Sequence, residues 1–145
     1  MARFIQGEYH PINKSKYIGD RTPIFRSSWE HTVMVMFDQN PNIISWASEP
    51  LRIPYRNPFT GKQTVYVPDF LVTYVDASGK QITELIEVKP SKETNIEEAK
   101  SKQAKAALAL NTYKWAAAHA FARQHGIGFR VMTEYNIYNN PKRKS

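Results

Sequence analysis

The sequence predicts an α/β domain in which helices cover a mixed sheet, and three observations lead to it. An apolar stripe at helical spacing occupies residues 29–37. A run rich in Val, Ile, Tyr, Phe and Thr extends from 43 to 88 and is cut by two turn sequences. An Ala-, Lys- and Glu-rich stretch over 96–125 is then followed by a short apolar strand. The resulting order is helix, three strands, helix or helices, strand. With 145 residues the chain fits one domain with a real core. That domain is expected over 1–134, its first 25 residues forming an arm, with a polar basic tail over 135–145.

The arm carries Pro11, Gly19 and Pro23 among polar residues, so it reads as irregular. Tyr9, Tyr17, Ile18, Ile24 and Phe25 need somewhere to pack, which predicts that it lies on the domain. A helix is expected from about Ser27, because Ser27-Ser28-Trp29-Glu30 has capping-box spacing. Trp29, Val33, Met36 and Phe37 form its apolar stripe, and Asn40-Pro41 should end it. Ile43–Ala47 is a short strand candidate. Leu51–Arg56 alternates and runs into the turn residues 57–61, and Thr64–Val75 follows, interrupted by Pro68. Asp76-Ala77-Ser78-Gly79 is a second turn, and Gln81–Val88 is a strand ended by Pro90. These pieces predict an antiparallel meander of three strands. Residues 96–125 favour helix, with Asn111-Thr112 a possible division, and Gly126 is a natural stop. Phe129–Thr133 supplies the last strand.

Composition narrows the function. Hydrophobic residues make up 41%, and no apolar run approaches the roughly 18 residues that span a membrane. The first ten residues lack the apolar segment of a signal peptide. With no cysteine, disulfides and thiolate metal sites are excluded, which fits a reducing compartment. The net charge of +7 and a pI of about 9.6 point to an anionic partner, most commonly nucleic acid. A plain basic tail is the competing explanation, since NPKRKS at the end holds three of the positive charges.

The chemistry gathers on one hairpin. If Val75 and Gln81 flank the second turn, Asp69 lies directly opposite Glu87, on one sheet face. Lys89, two residues on, shares that face, while Ile86 and Val88 point to the core. Two carboxylates pressed together oppose each other's ionisation unless a cation joins them. Mg²⁺ suits such a site, since it binds one or two carboxylates and keeps water and phosphate oxygens. There it would polarise a phosphate and acidify the attacking water. Lys89 could orient that water or stabilise phosphate charge. Glu30 falls at the edge of the first helix's apolar stripe, close enough to join the acids, but it also stands where a capping-box glutamate would. An exposed sheet face with an ordinary Glu87–Lys89 ion pair is the bland alternative. Pro68 cannot donate to a ladder, so it marks an edge or bulge that could re-aim Asp69.

Pro68-Asp69 followed by Glu87-Val88-Lys89 resembles the PD-(D/E)xK nuclease pattern. The blocks FRSSWE (25–30), WASEPLRIPY (46–55), YVPDFLV (66–72), LIEVKP (85–90) and FRVMTE (129–134) are similar in order and content to TnsA-like transposition endonucleases. YHPINKSKYIGD (9–20) resembles the head-completion nucleases of tailed phages of the T4 type. The resemblance implies a restriction-endonuclease-like core and Mg²⁺-dependent phosphodiester hydrolysis, with Mn²⁺ able to substitute. It implies Glu30, Asp69 and Glu87 as metal ligands and Lys89 as the catalytic lysine. DNA is then the substrate, capsid or portal proteins are possible partners, and the host cytoplasm or the virion is the expected place of action. An endonuclease subunit for transposition or junction cleavage, and a non-catalytic DNA-gripping head or portal component, remain alternatives.

Other residues are open to two readings. Lys100, Lys102 and Lys105 could contact phosphates or be a solvated helix face balanced by Glu97 and Glu98. Gln103 and Lys114 could approach the site from the same helix, and Arg26 could touch phosphate. His31 could support the site or be a surface residue. Trp29 and Trp46 are expected in the core.

Overall fold

The computed structural model describes residues 6–137. The polar tail from 138 onward, with its Lys-Arg-Lys cluster, lies outside the described residues. The arm opens with β1 (Gly7–Glu8), passes a 3₁₀ turn at Lys14–Lys16 and returns as β2 (Ile24–Phe25), paired antiparallel to β1. It lies on the domain as its aromatics predict. Tyr9 enters the core, Tyr17 packs edge-on against Trp46, and Phe25 packs against His31.

Helix α1 (Ser28–Gln39) is capped by Ser27, whose hydroxyl accepts the Glu30 N–H at 3.1 Å. Val33 and Phe37 of the expected stripe are buried, but Met34 joins them while Trp29 and Met36 are only half-buried. The helix turns this way because it is packed by Trp46 and Phe70 of the sheet and also by Tyr9 of the arm. That rotation buries Asp38, and the arm satisfies it. The Tyr9 hydroxyl and the Ile12 and Asn13 N–H groups all donate to its carboxylate.

Five strands follow where three were expected. Strands β3 (Ile43–Ser48), β6 (Phe70–Val75) and β7 (Gln81–Val88) form the antiparallel meander. Between β3 and β6 a separate hairpin is inserted, β4 (Ile53–Arg56) with β5 (Gln63–Tyr66). The single strand expected over Thr64–Val75 is thus divided at Pro68, which lacks the N–H needed to stay in a ladder. Strand β8 (Gly128–Met132) joins β7 in parallel, giving a mixed four-stranded sheet ordered β3-β6-β7-β8. Helix α2 (Lys102–Gln124) crosses between β7 and β8.

The crossover corrects two boundaries. Residues 91–93 and 96–98 are 3₁₀ turns, and α2 begins only after the Ser101 cap; it then runs unbroken through Asn111-Thr112. Asn111 is half-buried on one face of a helix whose neighbours favour continuation, so it has no end to cap. Gly126, at φ +69°, terminates the helix as expected. The residues where the polar tail was expected to begin carry one more element. They form a short helix α3 (Glu134–Ile137), and Ile137 packs on the first core.

Both faces of the sheet are covered. One core gathers Val33, Met34 and Phe37 of α1 against Trp46, Phe70, Val72 and Ile86. The other joins Leu85 and Phe129 to Ala118 and Ala122 of α2 and to Ile53 and Tyr66 of the inserted hairpin. Neighbouring Leu85 and Ile86 are both fully buried, as a strand sandwiched between two layers requires. The face bearing Glu87 is therefore not an open solvated surface; Glu87 stands where the second core ends. Among the described residues no helix is long and apolar enough to cross a membrane.

Candidate active site

The register of β6 against β7 is the one the turn implied, with Val75 opposite Gln81 and Phe70 opposite Ile86. One step further along, Asp69 faces Glu87 just where β6 begins. Val88 turns its N–H toward the β6 side, where Pro68 has ended the ladder. The Asp69 carboxylate takes that N–H through Oδ2 at 2.8 Å. Lys89, one residue on, gives its N–H to the Met132 carbonyl on the other side. The alternation of β7 thus anchors Asp69 on one edge and the lysine's backbone on the other.

Glu87 is almost fully buried, and its Oε1 accepts the Tyr66 hydroxyl at 2.6 Å. Its Oε2 lies 3.8 Å from the Lys89 ammonium. Glu30 takes part in the helix entry, and its charge also acts on Asp69 and Glu87. Ser27 caps the helix, but Glu30 reciprocates one residue further back, accepting the Arg26 N–H at 2.9 Å through Oε1. A carboxylate has two oxygens, so holding the chain at the helix entry does not turn the group away from the site.

Electrostatics tie the acids into one cluster. Asp69 is held well above the usual carboxylate range, first by burial, then by the charges of Glu87 and Glu30; the Val88 N–H and Lys89 pull the other way. Burial also raises Glu87, against the opposing Tyr66 hydrogen bond and the charges of Lys89 and Lys114. Glu30 is raised by burial, opposed by the Arg26 N–H. Burial and the Glu87 charge drive the Tyr66 phenol upward, so it remains a proton donor to that carboxylate.

Of the residues singled out in the sequence, Asp69, Glu87 and Lys89 are brought together, and Glu30 stands within electrostatic reach of the acids. Lys114 also reaches the site. Its ammonium lies 5.9 Å from the centre of the Tyr66 ring and its charge acts on Glu87. Arg26 is exposed and engaged, its Nε donating to Glu49 Oε2 at 2.8 Å. Lys100 and Gln103 line a groove of about 580 Å³ with Lys92 and Glu93, beside the start of α2. Lys102 and Lys105 are exposed on that helix. His31 belongs to the arm contact, its ring packed edge-on against Tyr9 and Phe25.

Two residues were missed. Tyr66 carries a hydroxyl into a buried position, which always demands a partner, and that was the available signal. Glu49 gives no local signal, since Ser48-Glu49-Pro50 reads as a loop. It stands at φ +47°, a left-handed conformation costing on the order of 1 kcal/mol in a non-glycine residue. From there its N–H donates to the Asp69 carbonyl at 2.8 Å while its carboxylate holds Arg26.

Among the described residues no three carboxylate or imidazole groups form a ready-made cage for one ion. The donor set nevertheless suits Mg²⁺. It offers hard oxygens, from Asp69 just before β6 and Glu87 on β7, and mutual repulsion that a divalent cation relieves.

A mixed sheet flanked by helices, with an acid pair and a lysine at the strand ends, fits the class of endonucleases with a restriction-endonuclease-like core. Residues 40–134 match the family model described as the TnsA-like endonuclease N-terminal domain, and the chain belongs to that family. The matched span contains Glu49, Tyr66, Asp69, Glu87 and Lys89; Arg26 and Glu30 precede it. The chain is also similar to the Head completion nuclease of Enterobacteria phage T4, at 38% identity over 139 residues, covering 88% of this chain and 90% of that protein.

Proposed function

We propose that this chain is a Mg²⁺-dependent endonuclease that hydrolyses DNA phosphodiester bonds in phage head completion, trimming or preparing DNA at the packaging vertex. Its action falls in the host cytoplasm or on the assembling virion, with capsid or portal proteins as partners and Mn²⁺ able to replace Mg²⁺. The observation that carries the chemistry is the placement of Asp69 beside Glu87 at the mouth of the second core, with the Lys89 ammonium 3.8 Å from Glu87. Likeness to the phage nuclease along nearly its whole length favours head completion over a transposition subunit.

Asp69 and Glu87 would hold the cation, with Glu30 adding negative charge behind them. When bound, Mg²⁺ supplies Lewis-acid polarisation of the phosphate and a lowered pKa for water. Everything else falls to the chain. The Val88 N–H and Tyr66 hydroxyl fix the two carboxylates, so their oxygens are aimed before DNA arrives. Lys89 offers an ammonium to the non-bridging phosphate oxygens, where negative charge builds in the transition state. Arg26, Lys100, Lys102, Lys105 and Lys114 would grip flanking phosphates, which makes binding weaken steeply with salt.

Purified protein incubated with supercoiled plasmid and Mg²⁺ should nick it. Asp69→Ala and Lys89→Ala, still folded by circular dichroism, should lose at least about a hundredfold of that rate. Plasmid left intact by the wild-type protein across Mg²⁺ and Mn²⁺ concentrations would favour the non-catalytic, DNA-gripping reading.

A further inference from the structure

The inserted β4–β5 hairpin is attached to the site at one end and bare at the other. At its base, Ile53 and Tyr66 are buried against α2, and the Tyr66 hydroxyl reaches Glu87. Among the described residues its strands pair only with each other, and no other strand lies beside the tip. An isolated two-stranded hairpin is marginal in water, yet this tip is tightly built. The Asn57 side chain accepts the Phe59 and Thr60 N–H groups at 2.8 and 3.2 Å, and its carbonyl accepts the Gly61 N–H at 2.8 Å. Arg56 donates to the Gly61 carbonyl at 2.5 Å, and Gly61 takes φ +73°, where a side chain would be strained. The result of this bracing is that Phe59 is held out in solvent with 61% of its surface exposed.

The charge along the hairpin has one sign. From Pro50 to Pro68 the chain carries Arg52, Arg56 and Lys62, all exposed, and no acidic residue. A fixed aromatic ring among cations returns nothing to the fold, but it matches a nucleic acid. The cations answer the phosphates, and the ring offers a face to a base. Such a face adds affinity only where a base is unpaired, because bases inside a duplex are already stacked. At about 3.3 Å per residue, the seven residues from Tyr66 to Phe59 reach at most about 23 Å from the residue that touches Glu87. That is within about seven nucleotides along a strand.

We infer that the β4–β5 hairpin is a DNA-engaging wing whose Phe59 stacks on an unpaired base a few nucleotides from the cut, so that the substrate is DNA with a single-stranded break in its pairing. This rests on the nuclease reading above, but binding and cleavage test the two separately. Anisotropy in EDTA, where no cleavage can occur, should show tighter binding to a short duplex carrying a single-stranded gap than to the same duplex intact. Phe59→Ala should weaken gapped-DNA binding by at least about fivefold more than blunt-duplex binding, the low end of one base–aromatic stack. Phe59→Trp should restore the preference, and melting curves should show all three proteins folded. Equal binding of both DNAs by Phe59→Ala and wild type would overturn the inference and leave the tip as a protein-docking element. If wild-type protein shows the Phe59-dependent preference but in Mg²⁺ cuts neither plasmid nor the gapped duplex, the wing stands and the nuclease reading falls. If it nicks plasmid and Phe59→Ala changes nothing, the reverse holds.

Discussion

Asp69 is an enclosed carboxylate that the fold places where ionisation is costly. Its folded pKa lies above the ordinary value of about 3.9, through burial and then the charges of Glu87 and Glu30. A raised carboxylate contributes stability that is fully present below the unfolded pKa and is lost as pH rises through the folded one. The metal-free protein should therefore become less stable from acid to neutral pH at this position. Asp69→Asn keeps an oxygen for the Val88 N–H and removes the charge. Without divalent cation at neutral pH it should melt at or above the wild type, by roughly 3 °C if about 1 kcal/mol of repulsion is relieved. The gap should close in acid, and Mg²⁺ should raise the wild-type melting temperature while leaving the variant unmoved. Calorimetry across pH with and without Mg²⁺ checks both. The Asp69–Glu87 pairing was legible in the sequence because a hairpin register follows from its turn. The Tyr66 hydroxyl on Glu87 was not, since Tyr66 comes from a different sheet.

Helix α1 carries a separate task at each end. At the start, Ser27 caps the helix and Glu30 holds the Arg26 N–H, so the turn that begins the helix also positions a site carboxylate. Ser27→Ala should cost about 1 kcal/mol of stability. It should also lower cleavage at temperatures where the protein is fully folded, which separates the two effects in an assay well below the melting point. At the far end, Asp38 ties down the arm. Burial pushes its carboxyl up, but hydrogen bonds from Tyr9, Ile12 and Asn13 outweigh that and leave it below the usual range. A lowered carboxylate stabilises above the unfolded pKa and loses that contribution as pH falls through the folded one, the opposite sense to Asp69. Asp38→Asn should cost about 2–3 kcal/mol at neutral pH, as expected for lost hydrogen bonds to a charged group. The cost should shrink toward zero in strong acid. Urea unfolding at the two pH values measures this, and hydrogen exchange at Ile12 and Asn13 should quicken in the variant.

At the scale of the whole molecule, the site lies where three layers end together. Helix α1 closes one side of the sheet, and α2 with the inserted hairpin closes the other. The second layer is thin. Ala118 and Ala122 have so little side chain that α2 can approach Ile53 and Tyr66 closely, and this holds the Tyr66 hydroxyl on Glu87. Ala118→Leu should cost about 1–3 kcal/mol through overpacking. By pushing the hairpin base away it should also reduce cleavage well beyond what the stability change explains. Comparing rates at a temperature where both proteins are folded checks this.

The alternation and turn residues of the chain were enough to set the hairpin register, and with it the meeting of Asp69, Glu87 and Lys89, because strand pairing and side-chain direction are local consequences of the pleat. The capped start of α1, its end before Pro41 and the stop at Gly126 were equally local. What only the tertiary structure decided depends on contacts between distant segments. The run containing Pro68 serves two sheets. The face bearing Glu87 is covered by α2 and a hairpin, and the arm turns α1 enough to bury Asp38. Local patterns state which face of an element is apolar, but which partner covers it depends on how layers from far-apart positions pack. Those partners set the burial and charge that move Asp69, Glu87 and Asp38 from their ordinary behaviour.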